Sequence, residues 1–326
     1  MKLHPIWEDY PDLSSELEQV IQLIKRSIHM RNKEVEAVLT DMLESGGKML
    51  RPAYTLLFSA FGTEHDPERA RALAASIELL HAATLIHDDI IDDADTRRGK
   101  TTIQSKYGKD AAVYAGDYLF TVSFRLLAKQ VQSDRQLDIN TRGMERILMG
   151  ELDQMHLYYH LDMTIRQYLT QISGKTAQLF ALACYSGALE GGMTERKARH
   201  AYYIGSHIGM AFQILDDILD YTQNSESVGK PVLEDVRQGI YTAPLIFAMR
   251  KNRQQFEPLL SKRNKMTKDD VKMVQHLVNE LGGVNEARSL AGKYTHKALK
   301  RIDQLPVSPE KQMIQSLTKQ LLERKM

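Results

Sequence analysis

Two aspartate clusters of similar spacing are the residues of this chain best suited to chemistry. Each has the pattern Asp-Asp-x-x-Asp, and the six members are Asp88, Asp89, Asp92, Asp216, Asp217 and Asp220. In a helix, residues four apart share a face, so the first and last aspartates of each cluster form a carboxylate pair. Such a pair is repulsive unless a cation lies beside it. The spacing therefore predicts two cation sites.

The surroundings of both clusters favour Mg²⁺ as the cation. Apolar residues flank the aspartates, as in LIHDDII and QILDDIL. A single motif of this kind is more often a solvated helix face, but two copies with apolar flanks favour a metal site. Mg²⁺ takes one or two carboxylates and completes its octahedron with water and phosphate oxygens. Neither cluster has the glycine and alternating oxygen ligands of a calcium-binding EF-hand loop.

Basic residues near glycines form a second candidate set, suited to phosphate. Gly46-Gly47-Lys48 precedes Arg51-Pro52, which predicts a glycine turn entering a helix with two cations on one side. Further cations follow the aspartate clusters or lie between them: Arg97, Arg98, Lys175 and Lys230. Each alone is more often a solvated side chain. Combined with metal ions, they would neutralise two diphosphates rather than one.

The elements that must position these residues are helices. Apolar residues recur at three- and four-residue intervals, and the two clearest series are Leu79, Leu80, Ala83, Ile86 and Ile208, Phe212, Leu215, Leu219. No comparable stretch alternates with period two, so we expect an all-α chain of roughly a dozen helices. Glycine and proline predict breaks at 46–47, 62–67, 98–99, 133–134, 191–192, 224–231 and 282–283. Without repeats or linkers, residues 1–326 are predicted to form a single domain.

Composition excludes several classes of protein. There are 43 basic and 42 acidic side chains, a net charge of +1, so the overall balance favours neither a nucleic-acid partner nor an anionic membrane. Cys184 is the single cysteine, which rules out an internal disulfide and thiolate metal sites. No apolar leader and no long apolar run occur, so secretion and an integral membrane segment are not expected. A cytoplasmic location fits best.

The chain resembles the trans (all-E) isoprenyl diphosphate synthases from about residue 16 to residue 305. The motifs that carry the resemblance are GGKMLRP, LLHAATLIHDDIIDDADTRRG, GDYLF, GELDQ, KTA, GMAFQILDDILDY and GKP. It is most similar to the catalytic component of two-component hexaprenyl and heptaprenyl diphosphate synthases. The resemblance implies a helical bundle of the isoprenoid synthase type around a deep central cavity, with the aspartate motifs on opposing walls at its mouth.

The resemblance also implies roles for single residues. The implied catalytic residues are Asp88, Asp89, Asp92, Lys175, Asp216 and Asp217. The implied Mg²⁺ ligands, for about three ions with diphosphate bound, are Asp88, Asp92, Asp216 and Asp220. The implied ligands of the allylic diphosphate are Arg97, Lys175 and Lys230, and those of isopentenyl diphosphate are Gly47, Lys48, Arg51, His81 and Arg98. Gln213 and Thr176 are implied to contact the allylic substrate and to steady its carbocation.

The activity implied is head-to-tail condensation of isopentenyl diphosphate onto an allylic primer, here farnesyl diphosphate. In the family, aromatic residues shortly before the first motif stop chain growth, whereas Ala83 and Thr84 occupy these positions here. Because a helix rises about 5.4 Å per turn, small side chains there leave room for a product of about six or seven isoprene units, C30–C35. Close packing of helices is the other explanation of the small residues. A homodimer, or a heterodimer with a small non-catalytic subunit, is expected.

Two other functions remain open at this stage. A terpene cyclase also uses an aspartate motif with Mg²⁺, but it binds one diphosphate and has no use for the GGKMLRP site. A non-catalytic helical partner subunit would lack the aspartates. One departure from the family is Gly239-Ile240, where many members have Gly-Lys. It puts a second lysine on the allylic diphosphate in doubt, and Arg237 is a candidate substitute.

Overall fold

The structure is a computed structural model, and it describes residues 3–44, 47–97, 99–130, 134–222 and 233–322. The chain divides into two compact units. The first unit comprises Met1–Asn140 and Leu182–Tyr202, and the second comprises Thr141–Ala181 and Tyr203–Met326. Assignment of the whole chain to one domain stays a prediction.

Helices make up most of the described chain. In the first part they are α1 (Pro11–Ser27), α2 (Lys33–Glu44), α3 (Leu50–Ser59), α4 (Pro67–Ile91), α5 (Ile103–Tyr107), α6 (Lys109–Gln130), α7 (Asp134–His156) and α8 (Ile165–Ile172). They continue with α9 (Gln178–Glu190), α10 (Glu195–Thr222), α11 (Glu234–Gln238), α12 (Ala243–Lys251), α13 (Arg253–Leu260), α14 (Lys268–Glu280), α15 (Gly283–Ile302) and α16 (Pro309–Leu322). Short 3₁₀ turns lie at Pro5–Trp7 and Arg263–Lys265, and a π-helical turn lies at Ser173–Ala177.

The all-α prediction is confirmed. Among the described residues, the extended structure is a hairpin of two-residue strands, β1 (Thr96–Arg97) and β2 (Lys100–Thr101). Strands this short leave no period-two signal, so the sequence could not reveal them. The predicted breaks at 62–67, 191–192 and 282–283 coincide with helix ends. Gly192 and Gly282 have φ angles of 82° and 70°, a conformation that glycine adopts without steric cost.

Helix α4 leads into the first aspartate cluster and is capped at its amino terminus. Asp66 caps its amino terminus by accepting hydrogen bonds from the backbone N–H groups of Glu68 and Arg69, and Pro67 occupies the first turn. Its buried residues lie all around the helix, because α4 packs against α1, α3 and α6. The hydroxyl of Ser123 on α6 donates to the carbonyl of Ser76 on α4 at 2.8 Å, so the contact with α6 is also held by a buried polar link.

The second unit has its own apolar core around the end of α10. The core residues include Ile214 and Ile218 of α10, Tyr168 of α8, Leu245 of α12 and Val274 of α14, all almost fully buried. On the opposite face of α10 lie Asp216 and Asp220, whereas Asp217 is buried beside the core residue Tyr168. The core thus fixes the rotation of α10, and with it the direction of its carboxylates.

Candidate active site

The first aspartate cluster lies at the carboxyl-terminal end of α4. Asp88 and Asp89 occupy its last turn, and Asp92 is the C-cap, whose backbone N–H donates to the carbonyl of Asp88. The carbonyl end of a helix carries partial negative charge, which disfavours carboxylates. Asp88 is half-buried and Asp92 is exposed. The arrangement is costly for folding unless a cation balances it.

The middle aspartate of this cluster has a different environment. Asp89 is 4% exposed, and its Oδ1 lies 2.6 Å from Nε of Arg97 on β1. A charge-assisted hydrogen bond of this length fixes the guanidinium group. Asp89 therefore orients Arg97, while Asp88 and Asp92 form the outward pair.

The GDYLF motif packs behind the first cluster. Gly116 lies so close to His87 that a Cβ at this position would come within 2.5 Å of the imidazole Nε2. Asp117 lies 3.4 Å from the same nitrogen, and the ring of Phe120 stacks on the imidazole at 5.5 Å. His87 directly precedes Asp88, and sequence analysis did not single it out. The motif thus fixes the position of His87, the residue next to the candidate metal ligand Asp88.

A cleft of about 450 Å³ opens in the first unit and brings several predicted residues together. Its lining includes Gly47, His81, Asp89 and Arg97. Sequence analysis missed two lysines that also line it, Lys100 and Lys106. Arg98 lies outside the described residues. A cleft with this many cationic side chains can accept a diphosphate, and two of its acidic members hold cations in place, Asp89 with Arg97 and Asp41 with Lys100.

The turn that carries Lys48 is held by a residue far away in sequence. The indole Nε1–H of Trp7 donates to the carbonyl oxygen of Lys48 at 2.9 Å, and Trp7 is almost fully buried. Met49, which follows, has a φ of 50°, an unfavourable conformation for a residue other than glycine. Arg51 lies one turn later, in the first turn of α3. The indole thus stabilises a strained turn between the two cations.

The second cluster, within the last described turns of α10, repeats the spacing and the burial pattern of the first. Asp216 is half-buried and Asp220 exposed, whereas Asp217 is buried. Asp235 of α11 adds a carboxylate that sequence analysis missed. Burial raises the pKa of Asp235 to about 6, the negative charge of Asp220 adds to the rise, and the charge of Lys175 opposes it. Two carboxylates and an ammonium group therefore interact at this end of α10.

Asp217 accepts hydrogen bonds at both carboxylate oxygens. The Tyr168 hydroxyl donates to Oδ2 at 2.5 Å, and Gln213 Nε2 donates to Oδ1 at 2.8 Å. Burial raises the pKa of Asp217 to about 8, and the two hydrogen bonds counteract this effect. Gln213 Oε1 in turn accepts from the Thr176 hydroxyl at 2.7 Å. The middle aspartate of each cluster thus holds a neighbouring side chain.

The π-helical turn Ser173–Ala177 presents Lys175 and Thr176. Lys175 Nζ lies 2.8 Å from Glu151 of α7, within the GELDQ motif. Gly150 and Gly174 bring the two backbones into contact, because a Cβ on Gly150 would lie 2.8 Å from the carbonyl carbon of Gly174. Single π turns occur often at functional sites. Lys230 lies outside the described residues.

The positions before the first motif differ in accessibility. Ala83 is completely buried within the first unit, whereas Thr84 is half-buried and its hydroxyl donates to the carbonyl of His81. A large side chain at Thr84 therefore needs less rearrangement than one at Ala83.

The divergent segment around Ile240 forms the turn after α11. The Ile240 N–H donates to the carbonyl of Asp235 at 2.8 Å, and Gly239 adopts the left-handed conformation. The Arg237 guanidinium lies 3.3 Å from Glu234. The ion pair directs Arg237 toward its own helix, and whether it replaces a lysine stays a prediction.

The donor set fits Mg²⁺. Within the described ranges, no group of three or more His, Cys, Asp or Glu side chains is arranged to hold a metal by itself. Each cluster instead offers two outward carboxylates, all-oxygen donors that leave most coordination positions open. Mg²⁺ binds in this way, with water and substrate phosphate completing its coordination. Asp88 with Asp92, and Asp216 with Asp220, could each hold such an ion.

Comparison with known proteins agrees with this layout. Residues 32–281 match the family described as polyprenyl synthetase. The chain belongs to the polyprenyl synthetase family. It is 33% identical over 308 residues to heptaprenyl diphosphate synthase component 2 of Geobacillus stearothermophilus, covering 94% of this chain and 95% of that protein. The family and these relatives show that the protein is a prenyltransferase and that it acts as a polyprenyl diphosphate synthase.

Solved structures of the same family share the fold. The crystal structure of geranylgeranyl pyrophosphate synthase from Lactobacillus brevis has a TM-score of 0.94 and 44% identity, covering 98% of this chain and 99% of that one. Heptaprenyl diphosphate synthase from Staphylococcus aureus has a TM-score of 0.91 and 32% identity, covering 96% and 99%. Among the helices within the described ranges, none of this polyprenyl synthetase has the length and apolar composition needed to cross a bilayer.

Proposed function

We propose that this synthase is Mg²⁺-dependent and condenses isopentenyl diphosphate head-to-tail onto an allylic diphosphate. The observation that carries the proposal is the repeated layout of the two clusters. In each, two carboxylates four residues apart share a helix face, where a cation would relieve their repulsion, and the middle aspartate fixes a polar neighbour. A protein that bound one diphosphate would have no use for the separate basic residues of the GGKMLRP segment in the first unit.

Each unit supplies its own part of the chemistry. In the first unit, Gly47, Lys48, Arg51 and His81, with Arg98, bind the diphosphate of isopentenyl diphosphate. In the second unit, Lys175 binds the allylic diphosphate and Gln213 with Thr176 faces the allylic carbon. When bound, Mg²⁺ neutralises charge on the leaving diphosphate. Arg97, Lys175 and Lys230 do the same through hydrogen bonds.

The reaction needs no covalent bond to the protein. The allylic C–O bond breaks, its electron pair leaves with the diphosphate, and the double bond of isopentenyl diphosphate attacks the allylic carbon. The resulting cation loses a proton, for which the released diphosphate is a base. The task of the protein is to hold both substrates in line and to exclude water, which would quench the cation to an alcohol.

The proposed primer is farnesyl diphosphate, and the proposed product has about six or seven isoprene units, C30–C35. A chain of this length needs room beyond the first helical turn before the motif, roughly 5.4 Å of helix. The small side chains of Ala83 and Thr84 support a long product, as does the similarity to proteins named heptaprenyl diphosphate synthase. The similarity to a geranylgeranyl pyrophosphate synthase points to a shorter one. Because these two similarities point to different products, the product length has to be measured.

Incubation with farnesyl diphosphate, labelled isopentenyl diphosphate and Mg²⁺ tests the proposal. Chromatography should show polyprenyl diphosphates longer than the primer, and a chelator should abolish them. Cyclised hydrocarbon without elongation would instead indicate a terpene cyclase. Absence of any product, even with an added partner subunit, would indicate a non-catalytic subunit.

The proposed assembly is a dimer, either of two copies or with a small non-catalytic subunit. Four large apolar side chains of α7, each about half exposed, follow helical spacing: Leu148, Met149, Leu152 and Met155. Apolar stripes of this kind mark protein contacts more often than solvated surface. The name "component 2" of two relatives supports the existence of a second subunit.

Replacing Trp7 with phenylalanine should raise the KM for isopentenyl diphosphate about tenfold, because the Lys48 carbonyl loses its hydrogen bond and the strained turn loosens. Steady-state kinetics with each substrate varied in turn measures this effect. The KM for the primer should stay within about twofold, since Trp7 belongs to the first unit and the proposed primer ligand Lys175 to the second. Tyr10→Phe, which keeps the ring packed against residue 7, is the matched control. An equal rise for both substrates would contradict the assignment.

A further inference from the structure

Tyr168 ends a chain of hydrogen bonds that runs through the second unit. Its hydroxyl donates to Asp217 Oδ2, and Asp217 Oδ1 accepts from Gln213 Nε2. Gln213 Oε1 then accepts from the hydroxyl of Thr176. Tyr168 is 1% exposed and Asp217 is 5% exposed, so water cannot easily replace these bonds. No motif of the sequence singled out Tyr168.

The direction of these bonds determines what Thr176 can offer to a substrate. An amide side chain can turn over and exchange its oxygen and nitrogen. Both oxygens of Asp217 act as acceptors here, Oδ2 from the Tyr168 hydroxyl and Oδ1 from Gln213, so it is the NH₂ group of Gln213 that faces Asp217. The carbonyl of Gln213 is then turned to Thr176 and takes up the hydrogen of its hydroxyl. Thr176 is left with oxygen lone pairs for any further partner.

Lone pairs are what a developing carbocation requires. A hydroxyl oxygen that points its lone pairs toward positive charge stabilises it, whereas the hydrogen of the same group would repel it. The orientation of Gln213 therefore decides the sign of the Thr176 dipole. A carboxylate held at both oxygens fixes that orientation before the substrate arrives.

We propose that Tyr168 is a positioning residue for the prenyl transfer, acting through Asp217 and Gln213 to keep the lone pairs of Thr176 available to the allylic cation. The inference rests on the proposed function. Tyr168 is needed because Asp217 Oδ2 is buried and receives its hydrogen bond from this hydroxyl. Without it, the carboxyl group rotates toward other donors and no longer holds the Gln213 amide in one orientation.

The test is the full-length Tyr168→Phe variant, which keeps the ring and removes the hydroxyl. We expect kcat to fall about 10- to 100-fold, the usual effect of removing a group that orients a functional residue. The KM values for both substrates should change less than about twofold, since the diphosphate ligands are untouched. A loss confined to kcat is not expected from a change in core packing alone.

A fluorinated primer gives a more specific readout. Fluorine at C2 of the allylic diphosphate withdraws electrons and slows ionisation, so the rate ratio between the normal and fluorinated primers reports on cation stabilisation. In Tyr168→Phe this ratio should rise several-fold. Tyr241→Phe is the matched control, because Tyr241 is an equally buried tyrosine of the same core that makes no contact with Asp217. This control should retain the wild-type ratio.

The double variant separates the proposed route from a direct effect. Asp217→Asn gains an amide that can donate to Gln213 and turn it over, so we expect the same rise in the rate ratio. If Tyr168 acts through Asp217, adding Tyr168→Phe to Asp217→Asn should cause little further loss. Asp217→Asn also keeps the inference testable if Tyr168→Phe does not fold.

Two results would overturn the inference while the proposed function stands. One is a Tyr168→Phe enzyme with wild-type kcat and an unchanged fluorine ratio. The other is strict additivity in the double variant. Failure of the proposed function itself has a different signature, because the unaltered protein would then elongate no primer in the same assay.

Discussion

Replacing Asp216 with alanine should lower kcat about a thousandfold, because one of two outward carboxylates of the second cluster is lost and several kcal/mol of stabilisation of the leaving group go with it. The same change should raise the melting temperature. Asp216 repels Asp220, which lies one turn later on the same face of α10, and this repulsion costs about 0.5 kcal/mol. Steady-state kinetics and thermal unfolding of one preparation measure both effects. Asp88→Ala should behave alike in the first cluster.

Asp93→Asn is the matched control for these variants. Asp93 lies next to Asp92 but has a φ of 53°, which asparagine also tolerates, and it is ion-paired with Lys109. The turnover of the Asp93→Asn variant should stay close to that of the unaltered enzyme. If Asp216→Ala kept full turnover at saturating Mg²⁺, the assignment of the clusters as metal sites would be wrong.

Placing phenylalanine at Thr84 should shorten the product to geranylgeranyl diphosphate from a farnesyl primer, or to farnesyl diphosphate from a shorter primer, a loss of about two to four isoprene units at roughly 5 Å of helix per turn. Thr84 lies one turn before Asp88 on the same face of α4, so a large ring there blocks the path of a growing chain. Primer consumption should persist, because residue 84 carries no ligand. Reversed-phase chromatography of the dephosphorylated products measures their length.

Ala83→Phe is expected to shorten the product as well, but it is the less clean test. Ala83 is completely buried, and overfilling such a position costs about 1–3 kcal/mol of stability. Thr84→Ser, which keeps the hydroxyl bonded to the His81 carbonyl, serves as the control. An active Thr84→Phe enzyme with unchanged products would place the limit elsewhere, with Leu119, Phe120 and Ser123 of α6 as the next candidates.

The sequence predicted the elements that depend on local pattern. The three- and four-residue spacing predicted α4 and α10, and glycines with positive φ, such as Gly192 and Gly282, marked helix ends. The Asp-Asp-x-x-Asp pattern identified both outward pairs. What it could not predict depends on tertiary contact. The hydrogen bond of Trp7 spans 41 positions and that of Tyr168 spans 49, and neither residue carries a local signal.

The motifs GDYLF and GELDQ show the same difference between what a local pattern predicts and what depends on tertiary contact. GDYLF and GELDQ were recognisable as patterns, but their function lies in what they touch. Gly116 admits His87, and Gly150 admits the turn that carries Lys175. Close approach of two backbones is invisible in one sequence, because glycine also occurs at turns and bulges. The roles of these motifs became clear only from the packing.

The hydrogen bond between Trp7 and Lys48 also gives this protein a spectroscopic property. Trp7 is the only tryptophan among the 326 residues, so the entire indole fluorescence comes from one buried ring bonded to the turn between two cations. Any shift of that turn alters the polarity around the indole and hence its emission. A ligand that moves the turn of Lys48 would therefore be followed optically, in real time and without a label.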